Sequence, residues 1–148
     1  MRALIQRVRE AEVVTDGEKV ASIERGILVF LGVKKGDAEN NADYLAEKIA
    51  RLRIFEDQGG KLNLSLMDVS GGLLVVSQFT LVCDARHGRR PSFTEAADPE
   101  TAEALYLRFV KSAEKFIPRV EKGRFRAAMA VRLVNDGPLT LMLEDPPG

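Results

Sequence analysis

The sequence predicts a single α+β domain, and three observations carry that prediction. Many strand-like segments recur along the 148 residues. Two segments, one after Asp37 and one after Asp98, carry apolar residues at helical spacing, without the regular β-α-β alternation of a doubly wound fold. No repeat, low-complexity tract or linker-like Ser/Gly/Pro stretch breaks the chain, so one domain over residues 1–148 is expected. A hydrophobic content of 45% suffices for a sizeable core at this length.

Residues 2–15 are rich in strand formers, and Asp16-Gly17 offers a type I′ turn into a second strand, Lys19–Ile23. Gly26 opens "ILVFLGV" (27–33), an apolar run short enough for a buried strand. Asp37 is placed to cap a first helix, along which Ala42, Leu45, Ala46, Ile49 and Leu52 recur at helical spacing. Gly59-Gly60 and Gly71-Gly72 punctuate a strand-rich middle that ends in "LLVVSQFTL" (73–81). Asp98 then caps a second helix with Pro99 at its first position. Its stripe is Ala102, Leu105, Tyr106, Phe109, Ala113 and Phe116, and Pro118 stops it at Ile117. The last segments, "AAMAVRLV" (127–134) and "LTLML" (139–143), read as two strands joined by a turn at Asn135-Asp136-Gly137-Pro138.

Charge narrows the function classes. Twenty-two Lys plus Arg balance twenty-two Asp plus Glu, so a nucleic-acid partner must be held by a local patch. Arg86, His87, Arg89 and Arg90 form one such group; Arg119, Lys122, Arg124 and Arg126 form another around Phe125. The 30% charged content and lack of a long apolar run leave no membrane span. The N-terminus lacks the features of a signal peptide, and Cys83 has no partner for an internal disulfide, which suits a cytoplasmic protein.

Conventional catalytic constellations are missing. Ser77 lies in "VVSQF" rather than a G-x-S-x-G elbow, and His87, the single histidine, sits in a polar loop. Cys83 and His87 supply two metal ligands where a zinc site wants three or four, so no metal is expected. "GVKKGD" lacks the spacing of a phosphate-binding glycine loop. "SQFTL" (77–81) is of more interest. In a regular strand Ser77 and Thr80 face opposite sides, and they converge only where the strand bends or ends. At such an end the N–H groups of Phe79 and Thr80 become free donors suited to an oxyanion.

"SQFTL" at 77–81 together with "NDGPLT" at 135–140 resembles the paired motifs of the D-aminoacyl-tRNA deacylases. "MRALIQRV" at 1–8, "GRRPSF" at 88–93 and the total length are also similar to that family, over essentially the whole chain. The resemblance implies mixed and antiparallel β-sheets forming a barrel-like core with two main α-helices. It implies hydrolysis of the ester between a D-amino acid and the terminal adenosine of tRNA, with mischarged glycyl-tRNA a further substrate and no cofactor. It also implies a homodimer with active sites at the interface, where the matching Gly137-Pro138 is cis and enters the partner's pocket to exclude L-amino acids. Thr80, Phe79, Gln78 and Ser77 are then the catalytic candidates. Either Thr80 is a nucleophile or the tRNA's own 2′-hydroxyl assists, the second scheme being favoured. The adenosine pocket is expected near Phe125 and Met129. The alternatives are a non-catalytic module that grips RNA acceptor ends and an editing domain of similar fold built into a synthetase. The ends Met1 and "EDPPG" fit a free-standing protein better.

Overall fold

The computed structural model describes residues 1–145; residues 146–148, the last three of "EDPPG", lie outside the described residues. Strand β1 (Arg2–Thr15) organises the sheet, because both of its edges are occupied. One edge pairs antiparallel with β2 (Glu18–Ile23) over its C-terminal half and with β3 (Gly26–Gly32) over its N-terminal half. Asp16 and Gly17 have φ of +52° and +75°, so the β1–β2 connection is the type I′ turn expected of Asp-Gly.

Helix α1 (Glu39–Arg51) follows, then a small ribbon of β4 (Phe55–Glu56) and β5 (Leu62–Leu64). Strand β6 (Gly72–Ser77) returns parallel to β3. Helix α2 (Pro99–Ala113) carries the chain to β7 (Val120–Lys122), which is parallel to β6. The sheet is therefore mixed, and its second edge ends in β8 (Ala130–Glu144), antiparallel to β1.

Alternation along the strands makes two cores. On one face Ile5, Ile27, Val29, Leu73 and Val75 pack against Leu45 and Ile49 of α1 and Tyr106 and Phe109 of α2. On the other, Val8, Val13, Ile23, Leu28, Leu74 and Val76 close on one another as the sheet curls into a barrel-like shape. Full burial of each large side chain stabilises by about 1.5–3 kcal/mol, so the two apolar faces hold the sheet's curvature.

Four expectations need correction. Asp37 does not cap α1: the N-cap is Ala38, whose N–H donates to Asn41 Oδ1 at 2.7 Å. Asp37 instead accepts from Lys34 N–H at 2.7 Å and from the buried Met1 ammonium at 2.9 Å. Helix α2 has the expected Asp98 cap, accepting from Thr101 N–H at 3.0 Å, but ends at Ala113, so Phe116 packs from the following turn. The strand in "LLVVSQFTL" stops at Ser77, and residues 79–82 form a 3₁₀ turn. The final segments are not a hairpin. They form one strand running along the same edge of β1, interrupted by a bulge.

Candidate active site

A cavity of about 280 Å³ opens at the C-terminal ends of the parallel strands β3 and β6. Leu31 and Val33 enter from β3 and the residue just beyond it, Val76 and Ser77 from β6, and Ala102 and Tyr106 from α2. Phe125, Arg126, Ala127 and Met129 close it from the connection between β7 and β8. Gln78 and Phe79 form its rim where the backbone leaves the sheet. The sequence candidates Ser77, Gln78, Phe79, Phe125 and Met129 thus share one wall.

The end of β6 explains how "SQFTL" is presented. Gln78 N–H still donates to Leu31 carbonyl at 2.8 Å, the last sheet-like bond on this side. Leu81 N–H then donates to Gln78 carbonyl at 3.2 Å and starts the 3₁₀ turn. The N–H groups of Phe79 and Thr80 fall between these two bonds and take no acceptor among the described residues. Helix starts leave such donors orphaned. Thr80 is not part of the cavity wall; its hydroxyl accepts from Gln78 Nε2.

Among the described residues, Tyr106 and Arg126 are the only ionisable side chains on this wall. Tyr106 is buried, donates its hydroxyl to Val75 carbonyl at 3.1 Å and tilts against Phe125, with ring centroids 5.7 Å apart. Burial pushes its pKa further above the ordinary tyrosine range, so it stays neutral. A guanidinium is not a base at any physiological pH. The wall therefore offers donors and shape but no protein base.

Gly137 and Pro138 lie elsewhere. Val8 pairs with Asn135 and Gln6 with Thr140, so Arg7 alone spans the gap that Asp136, Gly137, Pro138 and Leu139 occupy. The Gly137-Pro138 peptide is cis, and both residues are exposed. Asn135 latches the bulge, with Oδ1 accepting from Leu139 N–H at 3.1 Å and Nδ2 donating to Thr140 Oγ1 at 2.9 Å. Beneath it lies Arg7, only 6% exposed. Its Nη1 donates to Ile54 carbonyl at 2.8 Å and its Nε to Asp136 carbonyl at 3.1 Å, with the Asp136 carboxylate 3.5 Å away. Gly137 has φ of +124°, and a Cβ there would lie 2.8 Å from Arg7 Nη2. Sequence reasoning missed both Arg7 and Asn135. An arginine in the middle of a strand whose neighbours alternate into the core was the available signal, since full burial of that residue type demands partners.

The comparisons with known proteins agree with this architecture. The solved structure of a c-Myc DNA Unwinding Element Binding Protein superposes with a TM-score of 0.94 at 40% identity, covering 99% of this chain and 100% of that one. A probable eukaryotic D-amino acid tRNA deacylase shares the fold at 18% identity, with a TM-score of 0.82 over 97% and 98% of the two chains. The D-aminoacyl-tRNA deacylase of Geotalea daltonii is 62% identical, over 99% of this chain and 97% of that protein. That of Thermotoga petrophila is 55% identical, over 97% of each. These similarities define the class as hydrolytic enzymes of the deacylase type. More particularly, the chain belongs to the D-Tyr-tRNA(Tyr) deacylase family, whose profile matches residues 4–144.

Proposed function

We propose that this protein hydrolyses the ester joining a D-amino acid to the terminal adenosine of tRNA, releasing the free amino acid and the tRNA. The observation that carries the mechanism is the cavity's rim, where the N–H groups of Phe79 and of the next residue, Thr80, are unengaged beside a wall that offers no base among the described residues. The N–H groups of Phe79 and Thr80 receive the ester carbonyl oxygen and stabilise the negative charge that develops on it. Ser77 and Gln78 shape the pocket, and the adenosine lies against Phe125 and Met129. Water adds to the carbonyl carbon, the bond to the ribose oxygen breaks, and a proton passes to that oxygen. With no protein base on the wall, the neighbouring 2′-hydroxyl of the RNA assists the transfer, and Thr80 is not a nucleophile.

Two copies form the working enzyme, with Gly137-Pro138 of each entering the other's cavity. Two observations support the pairing. The Gly-Pro bulge is exposed and absent from its own protomer's cavity wall. Its strand also exposes Val134, Leu141 and Met142 at 42%, 37% and 49%, an apolar surface of the kind partners cover. Main-chain carbonyls of the bulge face the substrate's Cα, where a D-residue directs hydrogen and an L-residue would drive its Cβ into them. Exclusion by clash recognises no particular side chain, so it tolerates many D-residues and admits glycine, which has no Cβ. Mischarged glycyl-tRNA is accordingly a second substrate. No helix among the described residues is long and apolar enough to cross a membrane, and the enzyme works in the cytoplasm, where aminoacyl-tRNA is used. The test is ester loss from D-tyrosyl-tRNA and L-tyrosyl-tRNA. Rapid loss from the D-form alone is expected, and no stereoselective loss would leave a non-catalytic acceptor-end binding module.

A further inference from the structure

The arginines of the two basic clusters differ in whether the chain already engages them. Arg86 makes a double contact with Asp84, its Nε and Nη2 lying 2.9 and 2.8 Å from the two carboxylate oxygens. Arg124 lies 4.0 Å from Glu18, and Arg119 donates to Ser22 carbonyl at 3.1 Å. Arg89, Arg90 and Arg126 take no carboxylate or carbonyl partner among the described residues, and all three are exposed.

One of these free cations lines the cavity, and the loop that carries the other two is tied to its rim. Arg89 and Arg90 occupy the tip of a loop closed at its base by paired Asp84–Ser92 backbone bonds of 2.7 and 2.8 Å. That base directly follows the 3₁₀ turn, and Phe93 behind it meets Phe79 edge-on, with centroids 5.2 Å apart. Arg126 lines the cavity itself. It also holds φ of +65°, a left-handed conformation that residues other than glycine adopt at a cost. Such conformations persist where the surrounding turn dictates them, and they cluster at ligand-gripping positions. The formal net charge is zero, so no overall field gathers a polyanion, and a nucleic acid would have to be held by local unpaired guanidiniums such as these.

We propose that Arg126 and the Arg89-Arg90 loop tip form a phosphate clamp for the RNA strand that carries the aminoacyl ester. Arg126 takes the phosphate nearest the reacting end, and the loop tip takes phosphates upstream of it. A guanidinium pairs with phosphate oxygens through two parallel N–H donors, which fixes the strand's direction as well as holding it. The clamp rests on the reading that the aminoacylated end of tRNA enters this cavity. It assigns affinity to residues outside "SQFTL" and the Gly-Pro bulge, so binding and chemistry are separable by mutation.

The experiment titrates the full-length protein with fluorescently labelled deacylated tRNA at several KCl concentrations, and measures steady-state hydrolysis of D-tyrosyl-tRNA alongside. Arg126→Asn is the first variant, because asparagine tolerates left-handed backbone and keeps the turn. Arg89→Gln/Arg90→Gln is the second. Each is expected to raise Kd about two- to fivefold. Each also flattens the slope of log K against log salt by about 0.7 for every phosphate that the variant no longer neutralises. KM rises in proportion while kcat holds, and Arg126→Lys recovers most of the slope. Arg51→Gln, which removes a cation paired with Glu47 on α1, leaves all three quantities unchanged. Wild-type slope and KM in both variants would overturn the clamp, as would a fall in kcat with unchanged Kd. An inactive wild-type protein would instead overturn the deacylase reading beneath it.

Discussion

Replacing Arg7 with glutamine tests whether the Gly-Pro bulge must be held rigidly. The wild-type guanidinium bridges Ile54 carbonyl and Asp136 carbonyl from a nearly buried position, so it ties the start of β4 to the residue that precedes Gly137. A charge-assisted hydrogen bond contributes about 1.5–3 kcal/mol, and removing two leaves two carbonyls in search of partners. Water entry at this edge offsets part of that loss, so about 2–4 kcal/mol of stability is expected to disappear. With a urea slope of about 2 kcal/mol/M, the unfolding midpoint falls by about 1–2 M. Lysine rescues poorly, because a point charge cannot span both carbonyls in the guanidinium's fixed fork. The functional readout is the ratio of kcat/KM for D-tyrosyl-tRNA to that for L-tyrosyl-tRNA, measured below the unfolding transition. Displacing a positioning element by about 1 Å costs on the order of 100-fold, so the ratio should fall by about 10- to 100-fold. A variant that loses stability and keeps the full D/L ratio would refute the link between Arg7 and stereoselectivity. One that keeps both would refute any anchoring role for Arg7.

Thr80→Ala should retain substantial turnover of D-tyrosyl-tRNA, whereas tRNA ending in 2′-deoxyadenosine should be hydrolysed far more slowly; the opposite pattern makes Thr80 the nucleophile. Gly137→Ala places a Cβ against Arg7 Nη2 at a φ that L-residues avoid. It should lower D-tyrosyl-tRNA turnover at least tenfold in steady-state assays, on the scale of a roughly 1 Å displacement. Sedimentation equilibrium should find a dimer at assay concentration, and a monomer with full stereoselectivity would end the shared-site reading. Asp43 accepts two hydrogen bonds from Arg108, at 2.8 and 2.7 Å, which hold its carboxyl below the ordinary carboxylate pKa. Its stabilisation is present above the unfolded carboxylate pKa and is lost as pH falls through the lowered folded value. Asp43→Asn should therefore flatten the acid limb of a stability-versus-pH curve measured by thermal melting.

Local chemistry made parts of this fold legible. Asp16-Gly17 announced its turn because both residues tolerate positive φ, which a type I′ turn requires. Asp98-Pro99 announced α2 because a side-chain acceptor followed by fixed φ serves the orphan N–H groups of a helix start. Asp37 had the same local qualifications and was drawn away by a partner distant in sequence. The Met1 ammonium needs a carboxylate inside the core edge, and Asp37 and Asp145 both supply one, at 2.9 and 2.7 Å. Asn-Asp-Gly-Pro misled for a similar reason. Its turn propensity is real, but pairing along the length of β1 outweighed it and turned a chain reversal into a bulge.

The same contrast governs the site. "SQFTL" was readable as chemistry only on the condition that the strand ends, and the structure meets that condition directly after Ser77. The roles then separate by physical demand. Charge stabilisation needs fixed donors, and backbone N–H groups at the start of a 3₁₀ turn are fixed without depending on side-chain identity. Stereoselection needs rigid bulk at the Cα, and a bulge latched by Asn135 and underpinned by Arg7 can present main-chain atoms as that bulk. Neither demand calls for an ionisable side chain, and among the described residues the cavity wall contains none able to act as a base. On the proposed mechanism, a search for His, Asp or Cys nucleophile patterns looks for the wrong signal. What the sequence must specify is where a strand stops and where a bulge is held, and both are written in the residues around the motifs rather than in a reactive side chain.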